Sequence, residues 1–280
     1  MPRISDSSPR RGVSPTLLRL PPGADLAEQV FIALAGKGAA VSRADVVAAI
    51  GAGDIGYEND ETAYIHRPIP DEADIDLPVL LENDRIIAVD KPAGISSTPQ
   101  GSFVARSVLV QARRQFGDKV TCAHRLDRAT SGVMLLVKDP AYRGTYQQMF
   151  ENETASKTYE FLARAVADVP RERASRLVAQ GGQSLEVPGE PNARTKFRLL
   201  DKDSSGTRGR YEAVPLTGKT HQIRVHAAGA GFAILGDTLY GPGEGFPDRI
   251  ELLAQRLSFT DPVDETSMDI LSKQELSFPE

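Results

Sequence analysis

The aliphatic run Val133-Met134-Leu135-Leu136-Val137 follows directly on the turn-forming cluster Thr130-Ser131-Gly132. This junction constrains the fold more tightly than any other stretch. A short apolar run that ends in β-branched residues and starts at a turn reads as a buried strand. Immediately before the turn lies His124-Arg125-Leu126-Asp127-Arg128-Ala129, a carboxylate between two guanidinium groups. Asp127 is therefore expected on a loop feeding a rigid strand, the usual way a scaffold presents a reactive group. The residues alone leave a second reading open, in which Asp127 caps the turn and pairs with Arg125 or Arg128.

Further elements can be read on either side of this point. Residues 1–22 begin with Ser, Pro and Arg and end in Pro21-Pro22, which suggests a flexible arm. In residues 23–67, Leu26, Val30, Phe31 and Leu34 fall at helical spacing, Gly36 and Gly38 break the pattern, and Ser42 caps a second helix carrying Val46, Val47 and Ile50. This predicts a small α-rich domain. A Pro- and acid-rich linker spans 68–78. A larger domain over 79–262 starts with a strand at Ile86-Ile87-Ala88-Val89 and a sharp turn at Asp90-Lys91-Pro92-Ala93-Gly94. Helices are expected over Ser107–Phe116 and from Asp139-Pro140 through Met149. Strands are expected around Tyr159, over Thr195–Leu200 and over Tyr211–Leu216, with a hairpin and loop in 166–192. Several hairpins with few crossover helices favour an α+β fold with a mixed, mainly antiparallel sheet. Residues 263–280 read as a polar tail.

The formal net charge of −5 looks unpromising for a polyanionic partner, but the charge is unevenly spread. Residues 1–90 carry −7 and 241–280 carry −6, whereas 91–240 carry +8. A basic centre between acidic ends is compatible with a local RNA groove and equally with a solvated surface. Cys122 is the only cysteine, so an intramolecular disulfide and a four-cysteine zinc site are impossible and a cytoplasmic location is expected. Met1 to Gly12 has no apolar stretch suited to a signal peptide, and no run approaches the ~18 apolar residues of a membrane span.

A second chemical stretch is Gly218-Lys219-Thr220-His221-Gln222-Ile223-Arg224-Val225-His226, followed by Ala233-Ile234-Leu235-Gly236-Asp237 and Tyr240-Gly241. A Walker-type phosphate loop is set aside because the required earlier glycine is Ala213 and Pro215 stiffens the segment. A metal pair from His221 and His226 is set aside because their spacing puts them on different faces. The remaining reading makes Thr220 the N-cap of a helix over His221–Ala230, with His221 and Arg224 on one face.

The string His124-Arg125-Leu126-Asp127-Arg128-Ala129-Thr130-Ser131-Gly132 resembles the signature of the RluA-like RNA pseudouridine synthases. Lys91-Pro92-Ala93-Gly94, Lys157-Thr158-Tyr159 and the Gly218–His226 stretch are similar to further motifs of that family. Ser96, Ser97 and Thr98 stand where many members carry a histidine, and Leu253 replaces another. The resemblance covers about residues 85–262. It implies the synthase catalytic domain and isomerisation of a uridine in ribosomal or transfer RNA, without cofactor or metal. It implies that Asp127 is the catalytic carboxylate, that Arg224 ion-pairs with it, and that Tyr159 lies against the target base and could act on the proton leaving its ring. Arg125 would fill the space of an extruded base. Arg128, His124, His221 and Ile223 are expected around the RNA, and Lys91 either there, near phosphate, or positioning the loop that carries Asp127. The small domain resembles a degenerate RNA-binding module, too acidic for strong RNA contact. A monomer is expected.

Overall fold

The computed structural model describes residues 7–23, 25–37, 39–66, 74–99, 106–243 and 249–279. The chain divides into two compact units, Met1–Asp74 and Ile75–Glu280.

In the first unit, β1 (Thr16–Arg19), α1 (Leu26–Ala35), α2 (Arg43–Gly51), β2 (Ile55–Asn59) and β3 (Thr62–Ile65) form a three-stranded antiparallel sheet in the order β1-β3-β2 with two helices. Asp25 caps α1, and Ser42 and Asp45 make a reciprocal capping box on α2. Two expectations need correction. The unit is a helix–sheet module, not merely α-rich. The segment read as a flexible arm contributes β1, because Leu18 and Leu20 bury against Val30, Val46 and Ala63. Met1–Asp6, residue 67 and residues 68–73 of the expected linker lie outside the described residues.

In the second unit, chain order runs β4 (Val79–Glu82), β5 (Ile86–Lys91), α3 (Val108–Phe116), β6 (Thr121–Cys122), β7 (Ser131–Val137), α4 (Arg143–Glu151), β8 (Ser156–Arg164), β9 (Glu172–Gln180), β10 (Gln183–Val187), β11 (Ala193–Lys202), β12 (Arg208–Pro215), α5 (Gln222–Gly229), β13 (Leu252–Thr260) and β14 (Ser267–Leu271). An 11-stranded sheet follows the order β10-β9-β11-β12-β8-β13-β7-β5-β4, with β14 beside β13 and β6 beside β7. Its strand pairs are antiparallel apart from β13 with β7. The sequence expectation of an α+β fold with a mainly antiparallel sheet is met.

Strands β5 and β7 are buried along their whole length. Their alternate residues feed two cores on opposite faces. Ile86, Ala88, Val133 and Leu135 pack with Tyr146 and Met149 of α4, while Ile87, Val89, Met134 and Leu136 pack with Val108 and Ala112 of α3. A third core, with Phe161, Tyr211 and Phe232 stacked at centroid distances of 4.9–5.9 Å, seats Ile223 and Ala227 of α5.

The expected polar tail is also corrected. Residues Ser267–Leu271 form β14, and Ile270 and Leu276 are buried. Buried Asp90 anchors the segment beyond it by accepting from Ser272 Oγ at 2.7 Å, Lys273 N at 2.8 Å and Gln274 Nε2 at 2.7 Å. The apolar residues here are too sparse to announce themselves, and the anchoring carboxylate lies far away in sequence.

Candidate active site

The loop from Ala123 to Thr130 crosses from β6 to β7 and carries Asp127. Its backbone is fixed on both sides of the carboxylate. Ser97 Oγ donates to Leu126 O at 2.6 Å and accepts from Leu126 N at 2.9 Å, while the Leu126 side chain is buried. Beyond Asp127, the Thr130 N–H bonds back to Asp127 O at 3.1 Å, and Gly94 N donates to Arg128 O at 2.8 Å. Gly94 has φ +87°, a conformation that glycine adopts without strain.

Lys91 completes this clamp, and of the two places expected for it its contacts are those on the loop. The residue is wholly buried, and its ammonium donates to Thr130 O at 2.6 Å, Pro92 O at 3.1 Å and Arg128 O at 3.2 Å. With all three N–H groups on backbone carbonyls, it is committed to the loop and has no donor left for phosphate. Burial lowers its pKa to about 7, although the Asp127 charge opposes the shift.

Facing Asp127 is the start of α5. Thr220 is not its cap: the helix begins at Gln222, after His221, whose φ of +54° is left-handed. No side chain among the described residues caps this end; the Gln222 amide instead ties it to the neighbouring strands, accepting from Thr217 Oγ1 at 2.6 Å and Lys219 N at 3.1 Å and donating to Arg194 O at 2.8 Å and Thr195 Oγ1 at 3.0 Å. This holds His221 Nε2 at 3.7 Å and Arg224 Nη1 at 3.9 Å from Asp127 Oδ2. Arg224 is mainly held by another carboxylate. Asp237, itself buried, accepts from Arg224 Nε at 2.8 Å and Nη2 at 2.7 Å. Burial of Arg224 works against its charge, but the Asp237 hydrogen bonds and charge, with Asp127 behind them, raise its pKa overall. The same pairing keeps Asp237 below the ordinary carboxylate value despite burial.

Asp127, His221 and Arg224 border a cleft of about 620 Å³, together with Tyr159, His124, Arg125 and Ile223. That size falls in the ~300–1,000 Å³ range of pockets that enclose a small organic group. Tyr159 comes from β8, and burial, followed by the nearby Asp127 charge, pushes its pKa above the ordinary tyrosine value. It is thus a neutral phenol that offers a ring face and an O–H. Arg125 is exposed, and Lys157 and Lys219 add positive charge to the lining. His124 turns inward: Leu135 N donates to its Nε2 at 3.0 Å, and its ring lies 4.3 Å from that of Phe150. Arg128 is exposed and lines a separate cleft with Ser131 and Leu253.

Sequence reasoning assigned no role to Ser97, Lys157, Asp237 or Tyr240. Asp237 and Tyr240 stand in a Gly-Asp-x-x-Tyr-Gly stretch, Gly236–Gly241, which was the available signal.

The model of a family described as RNA pseudouridylate synthase matches residues 85–229. The chain is 30% identical over 193 residues to the mitochondrial tRNA pseudouridine(32) synthase of Saccharomyces cerevisiae, covering 65% of this chain and 41% of that protein. It is 29% identical over 208 residues to the dual-specificity RNA pseudouridine synthase RluA of Yersinia pestis, covering 68% and 95%. The solved structure of human RNA Pseudouridylate Synthase Domain Containing 1 shares the fold at a TM-score of 0.60 and 20% identity, covering 74% of this chain and 86% of that one. With the family match spanning just over half of its length, the chain belongs to the RNA pseudouridylate synthases, among the RluA-like enzymes.

Proposed function

We propose that the protein converts specific uridines of ribosomal or transfer RNA to pseudouridine with Asp127 as the essential carboxylate. One arrangement carries this reading: the Asp127 carboxylate borders the cleft that also holds Tyr159, and it is faced there by Arg224 and His221. Two N–H-bearing groups beside a carboxylate fix its direction. An ionised carboxylate can add to the sugar or the base, or take a ribose proton, while the glycosidic bond breaks and the uracil turns to rejoin through a ring carbon. Tyr159 gives the extruded uracil a stacking surface. The exposed Arg125 occupies the vacated place in the RNA, and Lys157 and Lys219 neutralise phosphates at the rim. The protein acts as a monomer in the cytoplasm. Related proteins named for transfer RNA and for the large ribosomal subunit support these two substrate classes.

The test is to incubate the purified protein with total RNA from cells lacking it and to map pseudouridine by carbodiimide labelling and reverse-transcription stops. New stops made by the wild type and absent with Asp127→Asn are expected. RNA binding without any new stop would overturn the reading in favour of an inactive RNA-binding protein.

A further inference from the structure

Asp127 has two nitrogen neighbours, and Asp237 accounts for the placement of only one of them. His221 is placed by Tyr240. The Tyr240 hydroxyl lies 2.9 Å from His221 Nδ1 and accepts the Ser184 N–H at 2.7 Å. A backbone N–H can only donate, so it cannot receive the phenolic proton. Among the described residues, the acceptor available to that proton is His221 Nδ1. A lone pair on Nδ1 leaves the proton of a neutral imidazole on Nε2, the atom 3.7 Å from Asp127 Oδ2. An N–H facing a carboxylate is also the electrostatically favoured orientation.

We infer that Tyr240 is a positioning residue that holds His221 in its Nε2–H tautomer, so that the imidazole presents an N–H donor to the Asp127 carboxylate. The ring of Tyr240 acts separately on Arg224, whose guanidinium carbon lies 5.1 Å from its centroid. Burial keeps Tyr240 protonated and disfavours the imidazolium of His221, which supports a neutral pair. The device reaches to the β9–β10 hairpin. Ser184 supplies its N–H to Tyr240, and its Oγ donates to Thr220 O at 2.6 Å, pinning the residue before His221. His221 meets Tyr240 on one ring edge and faces Asp127 on the other from a left-handed backbone, φ +54°.

The catalytic consequence rests on the synthase reading, whereas the tautomer does not. The full-length protein, labelled with 15N-histidine, has four histidines. His221 is assigned by the signal lost in His221→Gln, and the protonated ring nitrogen is read from the 15N–1H correlation pattern of each imidazole. The expected result is protonation at Nε2 in the wild type and a mixed or Nδ1–H population in Tyr240→Phe, with the His124 and His226 signals unchanged as evidence of folding. Tyr240→Phe should also lower kcat on the order of tenfold with little change in KM, because the cation–π ring remains and only the hydroxyl is gone. Protonation at Nδ1 in the wild type, or an unaltered pattern in Tyr240→Phe, overturns the assignment. An altered tautomer with undiminished turnover overturns the positioning role. If the tautomer result is as expected while the wild type makes no pseudouridine, the synthase reading fails and the assignment stands.

Discussion

Asp237 grips Arg224 through two hydrogen bonds of 2.7 and 2.8 Å, while Arg224 Nη1 stands 3.9 Å from Asp127. The guanidinium is therefore fixed from behind and presented to the carboxylate in front. Asp237→Asn should lower kcat on the order of a hundredfold with KM little changed, since a misplaced positioning group costs about that much. It should also destabilise the fold by about 3 kcal/mol, because a buried guanidinium loses its counter-charge. Single-turnover kinetics and urea denaturation check the two parts, and wild-type turnover would refute the presentation role.

Lys91 stabilises the loop that carries Asp127 through three carbonyls, two of them on residues just after Asp127. Lys91→Met removes all three donors and should cost about 2–4 kcal/mol. A larger fractional loss is expected in turnover than in RNA affinity, as the ammonium touches the loop and not the cleft. Filter binding set beside turnover measures this, and an equal loss in both would count against it.

Gly132 and Gly94 both have positive φ, at +106° and +87°, but their surroundings differ. A methyl group on Gly132 would overlap the Ala254 carbonyl of β13, whereas one on Gly94 meets nothing within 4 Å. Gly132→Ala should thus cost about 3 kcal/mol or more by forcing β7 and β13 apart. Gly94→Ala should cost about 1 kcal/mol, the backbone strain alone. Comparison of their denaturation midpoints decides, and equal losses would show that the close strand approach is unimportant.

His124 accepts the Leu135 N–H, so it must be neutral at Nε2. Burial, and then the Lys157 charge, lower its pKa to about 3, against about 6.5 in an unfolded chain. Between these values the unfolded chain binds the proton and the native state does not. Stability is then fully present above about pH 6.5 and falls as the pH drops toward 3, by about 1.4 kcal/mol per unit from this residue. His124→Gln, which has no titrating ring, should flatten that slope in urea denaturation followed from pH 7 to 4. An unchanged slope would rule His124 out as its source.

The sequence made the strands around the Asp127 loop legible because they are continuous apolar runs between turn residues, as in Ile86–Val89 and Val133–Val137. The helix over Val108–Phe116 was legible for a similar reason, with Ser107 as its cap. Legibility fell where an element depends on partners distant in the chain. Strand β14 and the segment after it are held by Ile270 in a core built elsewhere and by Asp90, more than 180 residues earlier. The small domain's β1 is hidden in the sequence because its four residues show only one buried side chain, Leu18.

Within the site, the sequence by itself determined the chemistry-bearing side chains: a carboxylate on a turn before a buried strand, a tyrosine on a second strand, and a histidine and an arginine three residues apart. Tertiary structure alone decided what each of them does. It turned Lys91 inward onto backbone carbonyls, sent Arg128 to a different cleft from its neighbour Asp127, and gave Arg224 to Asp237 and His221 to Tyr240. The physical reason is that residue type fixes which bonds a group is able to make, whereas burial and the few ångströms between segments distant in the chain fix which of those bonds are made.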